Sequence, residues 1–136
     1  MNQSTQQTEG YGYLIVRVST ARGAIPLSGA AVSIRGGSET DGGIFHSLVT
    51  DADGVTERIA LPTPDKSASD APDNGTPYTS YRVDVFREGY IPITFENVPV
   101  FPSVLSIQPA VMVPETGSGS THSPGIIVKE SETLSK

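Results

Sequence analysis

The most constraining feature of this chain is the period of its apolar residues. They recur at every second position, and no stretch carries a helical period of any length. Tyr13 to Thr20 sets Leu14, Val16 and Val18 on one face and Ile15, Arg17 and Ser19 on the other. Ala24 to Gly29, with Pro26 inside it, reads as a turn or short connection. Ala30, Val32 and Ile34 alternate again before Gly36-Gly37, and a third strand runs from about Ile44 to Thr50. Thr50-Asp51-Ala52-Asp53-Gly54 is turn chemistry and leads into Val55 through Leu61. Tyr81, Val83 and Val85 share a face opposite Arg82, Asp84 and Phe86. After a turn at Gly89, Tyr90 to Phe95 and then Leu105 to Val113, interrupted by Pro109, complete the set. About seven short strands, with turn signals every eight to twelve residues, give an all-β sandwich. Pro92 and Pro109 are expected at edges or bulges, because proline cannot donate to a central ladder.

The segments between and around these strands are polar. Pro62 to Pro77 holds several prolines and aspartates and Asn74-Gly75, which predicts a surface loop of about sixteen residues. Met1 to Glu9 is rich in Gln, Thr and Ser and reads as a disordered leader, so the sandwich is expected over 10–114. The stretch 115–136 contains Thr116-Gly-Ser-Gly-Ser-Thr-His-Ser-Pro124, a flexible tail by composition. One apolar island, Ile126-Ile127-Val128, interrupts that tail. Either it adds a strand to a sheet edge, of this chain or of a partner, or it stays unpaired.

Composition removes much chemistry. The 136 residues hold Gly 14 and Pro 11, an excess of turn formers that points away from a helical bundle. Cys 0 leaves no disulfide, thiolate nucleophile or cysteine-ligated metal, and His 2 cannot build a three-histidine zinc site. A net charge of −6 with scattered Lys and Arg argues against nucleic acid as the partner. No apolar run is long enough for a transmembrane helix. Residues 1–9 show neither a basic nor an apolar signal region, so synthesis in the cytosol is expected, with no signal peptide visible.

Gly12-Tyr-Leu-Ile-Val-Arg-Val18 followed by Pro26-Leu-Ser-Gly-Ala-Ala-Val-Ser-Ile34 resembles the start of carboxypeptidase-regulatory-like and Cna-B-type domains. Thr50-Asp-Ala-Asp-Gly54, Tyr81-Arg-Val-Asp-Val85 and Glu88-Gly-Tyr90 resemble their mid-domain turn, later strand and glycine-tyrosine corner. The resemblance implies a transthyretin-like, or prealbumin-like, seven-stranded Greek-key sandwich. Leu61-Pro-Thr-Pro-Asp65, Pro77-Tyr-Thr-Ser-Tyr-Arg-Val83 and Ile107-Gln-Pro-Ala-Val-Met-Val-Pro114 are similar to the N-terminal prodomain of clostridial spore-cortex-lytic enzymes. That likeness implies an accessory domain of the spore or cell envelope. The peptidoglycan-cleaving unit which follows the prodomain in that group has no counterpart in this sequence.

Each candidate for chemistry has a simpler explanation. The isopeptide cross-link of Cna-B domains needs a lysine on the first strand, where this chain has Arg17, and its nearest lysine, Lys66, is in the long loop. Guanidinium stays protonated and cannot serve as the amine. Transthyretin-like hydroxyisourate hydrolases use several histidines and a terminal Tyr-Arg-Gly-Ser. This chain has only His46, in a strand, and His122, in the tail. Asp51-Ala-Asp53-Gly54 looks like half a calcium loop, but position twelve from Asp51 is Pro62 and not a bidentate glutamate. The sequence therefore predicts no catalytic residue, no metal and no cofactor.

What remains is binding. Tyr78 and Tyr81 stand beside the long loop, just after it, and offer a surface to a protein or sugar partner. Tyr81 reads better as a core residue with Val83 and Val85, its hydroxyl reaching a loop backbone. Tyr90 reads as a packed corner. The expectation is a non-catalytic accessory domain that offers a sheet edge or the long loop to a protein partner such as a cell-wall-lytic enzyme. Two alternatives stand beside it. One is a structural subunit in which Ile126, Ile127 and Val128 add to a neighbour's sheet, giving a homo-oligomer. The other is a carbohydrate module contacting peptidoglycan through exposed tyrosines.

Overall fold

The computed structural model describes residues 10–36, 44–64, 78–115, 125–129 and 134–135. The expected leader, most of the long loop and most of the tail lie outside the described residues. Those described form strands β1 (Gly10–Thr20), β2 (Ile25–Pro26), β3 (Ala31–Gly36), β4 (Ile44–Val49), β5 (Ile59–Thr63), β6 (Thr79–Phe86), β7 (Ile93–Val100), β8 (Leu105–Val111), β9 (Ile126–Val128) and β10 (Leu134–Ser135), and no helix. The described residues are all-β: seven longer strands answer to the seven expected, and β2, β9 and β10 are short ones beside them, β9 falling on the Ile126-Ile127-Val128 island that the sequence offered as a strand.

Two sheets result. Sheet A runs β10-β8-β1-β2, with β5 also pairing β1, and sheet B runs β4-β3-β6-β7-β9. The first strand and the last long one are parallel neighbours, with Leu14 beside Ser106 and Val16 beside Gln108. The inner faces follow the period of two. Leu14, Val16, Val18, Val32, Ile34, Val83 and Val85 are all buried between the sheets. At about 1.5–3 kcal/mol for each side chain removed from water, this row contributes a large share of the drive to stack the sheets, beside Leu61, Tyr81, Val98 and Val100.

Three local readings change. Pro109 does not interrupt β8, which is continuous from Leu105 to Val111. Met112 N–H donates to Ser19 at 2.7 Å, so even-numbered residues of β8 turn their N–H toward β1 and Pro109 turns away. Its missing donor falls on the outer side, as an edge position allows. The strand after the Asp51 turn begins at Ile59, not Val55. Before it, Thr56 Oγ1 accepts from Val16 N–H at 3.0 Å, a side chain standing in for a strand carbonyl. That strand also runs on through Pro62 and Thr63, so the long loop starts later than expected. Tyr90 lies before β7, held by a bridge to Pro114, and Pro92 precedes the strand as an end residue.

β8 is inverted. Its inward positions are Ser106, Gln108, Ala110 and Met112, while Leu105, Ile107, Pro109 and Val111 point outward. Ser106 Oγ and Gln108 Oε1 are buried without a hydrogen-bond partner. Gln108 satisfies only its amide, which donates to the Pro109 carbonyl at 2.8 Å.

Candidate functional site

β4 ends sheet B, paired only with β3. Thr50 N–H donates to the Ala30 carbonyl at 3.0 Å, which fixes the alternation of the strand. Residues 46 and 48 then turn their backbone groups to β3, while Phe45, Ser47 and Val49 present theirs to the outer edge. No described strand pairs with that edge. It is a row of donors and acceptors at a strand spacing, the template for strand addition.

The side chains along the edge are unusually apolar for an outer row. Phe45 is 61% exposed and Val49 64% exposed. Val49 stands opposite Ala31, which on its other side faces Phe86, itself 54% exposed. The small alanine between two large side chains leaves an apolar notch across three strands. A groove of about 370 Å³ runs along the edge, lined by Ser47, Leu48, Val49, Asp51, Val55 and Glu57. Asp51 is engaged in its own turn: Oδ1 accepts from Asp53 N–H at 2.9 Å and Val55 N–H at 3.2 Å. Glu57 is exposed and makes no ion pair among the described residues, so it offers the groove a carboxylate.

Cations border the row on its other side. Arg35 lies directly opposite Arg82 and its guanidinium sits 5.5 Å from the Phe45 ring centroid. Arg82 pairs with Asp84 at 3.3 Å, and Asp84 also accepts from Thr94 Oγ1 at 2.6 Å. Like charges directly opposite on neighbouring strands are destabilising. Arg35 tolerates the position by lying on Phe45.

The residues singled out in the sequence fall elsewhere. Tyr81 is 1% exposed and its hydroxyl donates to the Pro62 carbonyl at 2.6 Å. It is the core residue with a backbone-bound hydroxyl, and its ring is closed to a partner. Tyr78 is 53% exposed, with its ring centroid 5.4 Å from that of Phe101. Ile126, Ile127 and Val128 form β9, parallel to β7 of the same chain, with Ile126 N–H donating to Pro92 at 2.9 Å. Val128 packs against the core while Ile127 is exposed. His46 is half-buried beside Ile34. Among the described residues there is no group of three or more His, Asp or Glu that could hold a metal, and no helix long and apolar enough to cross a membrane. Phe45 and Val49 were missed, although Ile44-Phe-His-Ser-Leu-Val49 carries apolar residues at both parities. A strand with one solvated face should not.

No protein family matches the chain, and no curated relative does. Among solved structures it is similar to a chlorocatechol 1,2-dioxygenase from Pseudomonas putida, at 14% identity and a TM-score of 0.49. The alignment covers 83% of this chain and 63% of that one, so this chain spans less than two thirds of its length. A likeness of that size bears on neither topology nor activity.

Proposed function

We propose that this chain is a non-catalytic binding domain of the transthyretin-like type that captures an extended segment of a partner protein on the free edge of β4. The observation that carries this reading is the unpaired edge at Phe45, Ser47 and Val49 beside a groove of about 370 Å³. The segment would add as a strand, its backbone pairing with residues 45, 47 and 49. Apolar side chains at alternate positions would pack on Phe45 and Val49, and a basic residue would meet Glu57. The motifs shared with spore-cortex-lytic prodomains support a place in the spore or cell envelope and a peptidoglycan-lytic enzyme as partner.

A proline at position 47 tests this. The Ser47 N–H points outward, so Ser47→Pro removes no bond within the sheet but deletes the central docking donor. Extended peptides selected from a display library on the full chain should lose binding to Ser47→Pro while its urea midpoint stays close to the parent's. Selected peptides that bind the proline variant equally would sink the reading. A peptidoglycan contact is the second reading, favoured by the exposed Tyr78, whose ring rests on the half-buried Phe101. It predicts sedimentation with peptidoglycan that Tyr78→Ala abolishes.

A further inference from the structure

The outer face of sheet A lies on the far side of the sandwich from the β4 row, and it is the less expected of the two surfaces. Strand β8 turns its apolar residues out and its polar ones in, against the ordinary rule for a strand with one solvated face. β1 continues the patch. Tyr13 stands beside Leu105 and Ile15 beside Ile107, in parallel register. Val111, 43% exposed, extends the row beside Ser19, toward the turn between β1 and β2. No described strand covers this surface. Turning the patch inward would take a one-residue slip of β8, which would also aim Pro109, with no N–H, at β1. The register instead leaves two buried polar atoms unsatisfied, Ser106 Oγ and Gln108 Oε1. A fold that keeps this arrangement in the monomer has an outward surface suited to being covered.

The charges identify what covers it. At the end of the patch a groove of about 300 Å³ is lined by Arg17 and Asp53, among Pro26, Pro109 and Val111. The two opposite charges share that groove, yet no ion pair joins them. Around the patch stand Arg17, Arg58 (its guanidinium 4.9 Å from the Tyr13 ring centroid) and Asp53. Among the described residues these charges are two cations and one carboxylate, in a chain whose net charge is −6. A two-fold contact is also self-complementary by construction, so one copy's Arg17 can meet the other's Asp53 twice over.

We propose that two copies of this chain associate face to face through the outer surface of β1 and β8, with Arg17 and Asp53 pairing reciprocally across the two-fold axis. This is packing of sheet on sheet, not strand addition, and it leaves the β4 edge of each copy free. From Tyr11 to Ser19 at about 3.4 Å per residue, and two strands about 4.8 Å wide each, the face offers roughly 260 Å² per copy. That is about a third of the area of a standard stable interface, so the dimer is weak and concentration-dependent.

Sedimentation velocity on the full chain, from about 1 to 500 µM, reads the association directly. The expected result is a monomer that passes to a dimer within that range, and an Ile107→Lys variant that stays monomeric. Ile107 is on the outer face, and an unchanged urea midpoint establishes that this variant is folded. Arg17→Glu and Asp53→Lys should each weaken the dimer at least tenfold, and the two together should restore it. A chain that stays monomeric to the top of the range overturns the proposal. So does a dimer that Ile107→Lys leaves intact, or a charge exchange that fails to restore it. Loss of peptide binding at β4 would leave all of these results unchanged, so the two readings fail separately.

Discussion

The hydroxyl of Tyr81, on β6, donates at 2.6 Å to the carbonyl of Pro62, on β5, and so ties sheet B to sheet A with a hydrogen bond in the interior. The ring beneath it is 1% exposed and packs with Val83 and Val98. Tyr81→Phe keeps that packing and deletes the donor, leaving a part-buried carbonyl unpartnered. The expected loss is about 1–2 kcal/mol, read as a lower urea midpoint with an unchanged slope. An unchanged midpoint would mean that water takes the place of the hydroxyl.

Ser106 points the other way energetically. Its Oγ is desolvated at 1% exposure and finds no partner. Ser106→Ala removes an unsatisfied buried polar atom and almost no volume. The substitution should stabilise the chain by about 1 kcal/mol, a rise of roughly 3–5 °C in Tm for a domain of this size. A fall in Tm on calorimetry would show that the hydroxyl has a partner in solution.

Gly54 closes the turn between β4 and β5 at a φ of +79°. A Cβ there would stand 2.5 Å from the Val18 carbonyl oxygen, and the Gly54 carbonyl itself accepts from Val18 N–H at 2.7 Å. The contact is backbone on backbone, so neither side can swing away. Gly54→Ala should cost at least about 2 kcal/mol, from the left-handed φ and the displaced strand together. Asp51→Ala, which loses only the two bonds to Asp53 and Val55 N–H, should cost less. Equal midpoints for the two variants would contradict this ranking.

Much of the inner face was legible because period two is local. Leu14, Val16 and Val18, then Val32 and Ile34, then Tyr81, Val83 and Val85 each declare a parity within one strand, and the sandwich buries those parities. β8 was legible as a strand but not as an inverted one. Leu105 and Ile107 would go inward on hydropathy, and only the parallel register with β1, a partner about ninety residues away in sequence, sets them outward. The β4 site shares this difficulty. Phe45 and Val49 become an exposed edge only because β4 is last in its sheet, and strand order is a property of the whole chain. Tyr78 and Tyr81 show the converse: similar residues three positions apart, one on the surface and one sealed, divided by the start of β6.

Removing the residues after Glu115 separates the ways this chain could self-associate. If copies join by exchanging the Ile126–Val128 strand, that truncation must yield a monomer. In the structure β9 is spent on its own β7, where Ile126 pairs with Ile93 and Asn97 Nδ2 donates to the Lys129 carbonyl at 2.8 Å. The outer face of β1 and β8 does not depend on β9, although the same truncation also removes β10, whose Leu134 pairs with Ile107 at the margin of that face. Truncation should therefore lower stability, because Val128 leaves its place against the core, while dimer formation through Ile107 persists. Sedimentation velocity of the truncated chain, with and without Ile107→Lys, reads the result. A truncated chain that is monomeric at about 500 µM, yet still folded by its urea transition, would move the coupling role to the residues after Glu115, and a chain ending at Lys129, which keeps β9 and lacks β10, tells the two strands apart.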